Sequence, residues 1–154
     1  MSSLNALMIA IEMAVRKRDE ARHALRERQR AFDAAQSQME QLQNYTQEMQ
    51  QRWGASEGAA MKPEVMFHQR QFMERLQHAV DLQTKVMADQ AIRLETSQKA
   101  LMVTEMRLSS LNKVVETRRR DIALAQMRRE QKQTDERAAL QFIGRTFGMQ
   151  FQEA

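Results

Sequence analysis

The chain has 154 residues, with 24 Lys and Arg against 20 Asp and Glu, one Pro, four Gly, 13 Met and no Cys. Hydrophobic residues reach 42% and aromatics only 5%, too apolar for a disordered charged tail and too poor in aromatics for a β-sandwich. Ala, Glu, Lys, Leu, Arg, Gln and Met dominate, the residues that lose least side-chain freedom in a helix, so the expected class is all-α in a single domain over residues 1–154. Without Cys there are no disulfides, thiolate metal sites or thiol nucleophiles, which fits a reducing compartment. At the N-terminus Arg16, Lys17 and Arg18 follow the apolar stretch rather than precede it, and Glu12 interrupts it, so no export signal is expected. The uncharged run from Met1 to Ile11 falls well short of the ~20 residues of a membrane span. The expectation is a soluble, cytoplasmic protein, with peripheral association with a membrane-bound machine left open.

The helix-breaking residues fall in two places. Gly54, Gly58 and Pro63 lie in WGASEGAAMKPE, and Gly144 and Gly148 lie in the last eleven residues. This predicts a first helix over about 4–53, a loop over about 54–62, a second helix over about 63–142 and a flexible tail over 143–154. Pro63 suits a first helical turn, where its missing N–H is not needed, and Glu64 favours the positive end of the helix dipole.

Along the first helix, alternating steps of three and four pick out Leu4, Leu7, Ile11, Ala14, Arg18, Ala21, Leu25, Arg28, Phe32, Ala35, Met39, Leu42, Thr46, Met49 and Trp53. Only Arg18, Arg28 and Thr46 break this apolar stripe. A sustained 3.5-residue period is a coiled-coil seam, with an ordinary helical bundle as the alternative for the same pattern. The second helix has a strong column at steps of seven, from Met66 through Met73, Val80, Met87, Leu94, Leu101, Leu108 and Val115 to Ile122. Its companion column is weaker: Leu76, Gln83, Gln90, Ser97, Thr104, Leu111, Arg118 and Ala125. Polar seam positions lower stability and fix register.

A short loop between two such helices predicts an antiparallel hairpin. Paired outward from the loop, Leu4 meets about Lys113, and the second helix then overhangs by ~40 Å. That overhang is basic. Between Lys113 and Arg145 stand nine Lys and Arg against five Asp and Glu, an excess equal to the +4 formal charge of the whole chain. Arg118, Arg119, Arg120, Arg128 and Arg129 are its core. Such a segment suits an acidic protein surface, or a nucleic-acid backbone, or is simply a solvated helix face. Nucleic acid is the weaker partner because no aromatics interleave the Arg residues to stack on bases.

Enzymatic motifs are missing. His23, His68 and His78 have no i, i+4 pairing, and there is no Gly-rich phosphate loop, G-x-S-x-G or H-E-x-x-H. No catalytic residue, metal or cofactor is expected. Just after the loop, Phe72, Leu76, Ala79 and Gln83 share one helix face, with Phe72 at the seam edge, either as an anchor for another protein or as a flank of the core. Phe142, Phe147 and Phe151, around two Gly, form a tail that is either a docking segment or a loose end.

In their order, LNALMIAIEMAVRKRDEA at the start, Met39, Leu42 and Tyr45 in QMEQLQNYTQEM, QFMERLQHAVDLQ after the loop and RREQKQTDERA near the end resemble the FliJ family, over about Leu4 to Ala138. FliJ proteins are small coiled-coil components of the flagellar type III export apparatus. The resemblance implies an antiparallel two-helix coiled coil similar to the central stalk of rotary ATPases. It implies as partners the hexameric export ATPase, the cytoplasmic domain of the export-gate protein and the chaperones of late export substrates. The family's gate-contacting face falls here on Phe72, Leu76, Ala79 and Gln83, the last standing where His is familiar. Met49 replaces a common aromatic, and Thr134 and Arg137 replace apolar residues. The injectisome counterpart of the same stalk is an alternative, and a basic nucleic-acid-binding scaffold is another.

Overall fold

The computed structural model describes residues 2–56 and 62–152. Two helices account for almost all of them: α1, Ser2–Ser56, and α2, Pro63–Gln152. The fold is all-α, with no strand among the described residues. Pro63 opens α2, and the Lys62 carbonyl accepts hydrogen bonds from the amides of Val65 (3.0 Å) and Met66 (3.2 Å). Proline there gives up a donor that the first turn could not have used, and Glu64 lies beside it at the positive end of the helix dipole.

Two expectations at the helix ends need correction. α1 continues through Gly54 to Ser56 instead of stopping at Trp53, and the stretch expected to be a flexible tail is helix as far as Gln152. Gly144 and Gly148 lie inside that helix. One Gly costs about 1 kcal/mol relative to Ala. That weakens a long helix locally but is too small a cost to end it. The remaining part of the expected loop, residues 57–61, and the last two residues of the expected tail lie outside the described residues.

The chain divides into two compact units, Ala14–Met106 and Met1–Met13 with Arg107–Ala154. In the first, α1 and α2 run antiparallel: Trp53 and Tyr45 meet Phe72, Ala35 meets Gln83 and Arg22 meets Glu105. From Ala14 to Trp53 every seam position of α1 is buried or half-buried, while most other residues are exposed. The α2 seam behaves the same way from Met73 to Thr104. The 3.5-residue period therefore describes the real contact line, and each helix covers the apolar stripe of the other.

In the second unit, Leu4, Leu7 and Ile11 of α1 are half-buried, as is Leu111 of α2, while Leu108 and Val115 are buried. The Arg118 guanidinium donates to Ser3 Oγ at 2.7 Å. Pairing outward from the loop puts Ser3 nearer residue 114. The difference arises because helical side chains lean toward the N-terminus, so a long Arg reaches back about one turn. Beyond Val115, every described side chain of α2 to Gly148 is exposed, Ile122 among them although it continues the strong column.

The core is thin. Its buried hydrophobics among the described residues are Ala14, Ala35, Leu76, Leu108 and Val115, and none of these is fully sealed from solvent. A pair of helices covers each stripe from one side only, so burial per residue stays low and stability is modest. Polar seam residues are handled unequally. Thr46 and Thr104 donate to the carbonyls of Leu42 and Leu101, both at 2.7 Å, within their own helices. Gln90 Oε1 is buried and accepts no hydrogen bond from any described residue.

Candidate partner-binding surfaces

In unit Ala14–Met106, the face after the loop carries Phe72, Leu76, Ala79 and Gln83, spaced about one helical turn apart. They do not form a uniformly free surface. Leu76 is buried at 8% exposure, Ala79 is half-buried, and Phe72 remains 36% exposed. Gln83 Nε2 donates to the Ala35 main-chain carbonyl at 2.8 Å and reaches Gln38 Oε1 at 3.4 Å. Two of the four side chains thus hold the helix pair together, while Phe72 looks outward.

Phe72 is positioned by two aromatics of α1. Its ring centroid lies 6.1 Å from Tyr45 and 5.8 Å from Trp53, both edge-to-face, with interplanar angles of 80° and 70°. Positive ring edges meeting negative ring faces fix the orientation of Phe72 while leaving part of it in water. Sequence reasoning did not bring these three rings together. Tyr45 lies off the seam, so its spacing with Met39 and Leu42 gave no sign that it would meet Phe72. Tyr45 also lines an open apolar notch with Leu42, Gln38, Gln41 and Gln83. An exposed aromatic beside a notch rimmed by amides has the make-up of a protein contact surface rather than a reaction centre.

The second surface belongs to the unit formed by Met1–Met13 and Arg107–Ala154. Here the five singled-out Arg residues separate into two groups. Arg118 bonds Ser3, Arg119 Nη2 lies 3.9 Å from Met8 Sδ, and Arg120 pairs with Glu116 at 2.6 Å. The first two therefore fasten the start of α1 to α2, and the third is an ordinary i, i+4 pair. Arg128 and Arg129 are exposed and bond no described residue. Around them Leu124, Met127, Leu140, Phe142, Ile143 and Phe147 are exposed as well. Positive charge and apolar side chains, both unpartnered, share one stretch of helix.

Among the described residues, no three His, Asp or Glu converge to hold a metal ion. No described helix is long and apolar enough to cross a membrane. The two long helices and their seam agree with a comparison to known families. The family model described as Flagellar FliJ protein matches residues 3–146, nearly the whole chain. The chain belongs to the FliJ family. Membership makes it a coiled-coil component of the flagellar protein export apparatus. No individual curated protein matches it.

Proposed function

We propose that the protein is a stalk that binds the hexameric export ATPase, couples it to the export gate and engages export chaperones. The observation that carries this is the state of α2 after Val115: helical to Gln152, basic, and exposed at every described side chain to Gly148. Helices in water are held mostly by packing of an apolar face. A stretch exposing Ile122, Leu124, Met127, Leu140, Phe142, Ile143 and Phe147 is built to be covered by something outside the chain.

The work is mechanical. A helical element seated in the opening of a hexameric ring offers a different face to each subunit, and so favours different conformations around the ring. Arg128 and Arg129 supply charge for acidic groups of the ATPase, and the neighbouring apolar residues supply contact area. At the loop end, Phe72 is the anchor for the gate protein, with Ala79 beside it. Leu76 and Gln83 act beneath them by holding the helix face in register. The protein works in the cytoplasm, at the inner face of the membrane beneath the flagellum. The family match is to the flagellar model, which favours this reading over an injectisome stalk.

The test is direct. Purified chain mixed with the export ATPase is expected to co-elute with it and to raise hexamer formation and ATP turnover. Arg128→Glu with Arg129→Glu is expected to weaken both effects while helicity stays at the wild-type level. An ATPase that neither binds the chain nor changes its assembly or turnover ends the proposal.

A further inference from the structure

We infer that the exposed end of α2 is self-complementary and pairs antiparallel with the same segment of a second copy of this chain. On an α-helix, successive residues turn by about 100°. Ile122, Ala125, Arg129, Glu136, Leu140 and Ile143 consequently fall in one stripe about 60° wide. The stripe is apolar at both ends and charged in the middle, with a positive residue on one side of its centre and a negative one on the other. Ile122 and Ile143 are 46% and 49% exposed, so no described residue of another element covers it.

Turning a second copy end for end about a point between Lys132 and Gln133 matches every layer. Ile122 meets Ile143 of the other copy, Ala125 meets Leu140, and Arg129 meets Glu136. The two-fold axis repeats each contact, giving two apolar clusters and two ion pairs over about 32 Å of helix. Lys132 lies beside the axis at the edge of the stripe, where its stem can carry the ammonium out to water. A parallel, in-register pair is disfavoured by the same charges, since it sets Arg129 against Arg129 and Glu136 against Glu136. Residue order therefore selects both the occupant and its direction.

Leu124, Met127 and Phe142 lie on the opposite side of the helix and stay uncovered in this dimer. The inference does not rest on the ATPase reading, because self-association is measured on the purified chain alone. Where the ATPase also uses this stretch, the dimer is a competing, stored form.

Sedimentation velocity of the full chain over a concentration series, at low and high salt, is the first measurement. The expected result is a weak dimer that loosens with salt. Arg129→Glu alone and Glu136→Arg alone should each weaken it about tenfold, since symmetry doubles every lost pair. The combined variant, with both charges exchanged, should recover the wild-type affinity. A chain that stays monomeric to about 1 mM, or a dimer indifferent to either single reversal, overturns the inference.

The second measurement uses the absence of native Cys. Ile122→Cys and Ile143→Cys chains are prepared separately, mixed and oxidised. The antiparallel pairing predicts the mixed disulfide, one chain of each variant, as the main product. Dominant linkage between two copies of the same variant, or no linkage above the level of an exposed control site, refutes it.

Discussion

The Gln83 side chain crosses from α2 to donate a 2.8 Å hydrogen bond to the main-chain carbonyl of Ala35 in α1. The bond forms where the helices come close, because Ala35 is a small buried residue at 5% exposure. A polar residue in the α2 seam thus meets a backbone acceptor, and the pair fixes how the helices align in that unit.

Enlarging the alanine should be costly. Ala35→Leu forces extra methyl groups into the contact and is expected to destabilise by about 1–3 kcal/mol. Gln83→Ala removes only the bond and should cost about 1 kcal/mol. Urea unfolding followed by circular dichroism measures both, and equal effects would contradict the ranking.

Gln90 is the opposite case. Its Oε1 is buried and accepts no bond from any described residue, so desolvation is uncompensated. Gln90→Leu is expected to raise stability by about 1 kcal/mol. An unchanged or lower urea midpoint would mean that the amide has a partner in solution.

Phe72 and Trp53 lie 5.8 Å apart, and Trp53 is the only tryptophan. Phe72→Ala should uncover the indole, shift its fluorescence emission to the red and destabilise by about 1–3 kcal/mol. Phe72→Leu keeps bulk but loses the edge-to-face contact, and should fall between the wild type and Phe72→Ala. Leu76→Ala, at a buried site, should lower stability more than Phe72→Leu does.

Arg118 fastens the start of α1 through Ser3. Arg118→Ala is expected to speed amide exchange over residues 3–8 while changing global stability by less than about 1 kcal/mol, because the contact is exposed. Hydrogen-exchange mass spectrometry reads this directly, and unaltered exchange there would assign the tether elsewhere.

The sequence by itself determined the helices and the contact line. Composition excludes strands, and a heptad stripe has one stable use, which is to face another helix. The α1 seam from Leu4 to Trp53 is therefore legible in the spacing of its apolar residues alone. Helix ends were less legible, because a lone Gly such as Gly54 or Gly144 shifts local stability by too little to stop a helix. Only tertiary structure decided which polar residues are satisfied and which arginines are engaged. Gln83 and Gln90 occupy the same seam column seven residues apart, yet one finds a backbone carbonyl and the other finds nothing. Arg118 and Arg129 belong to the same basic run, yet one is bound to Ser3 and the other is exposed. Periodicity fixes the face on which a side chain lies, but its hydrogen-bond partner depends on the distance and register of a second helix, which no spacing within one helix contains.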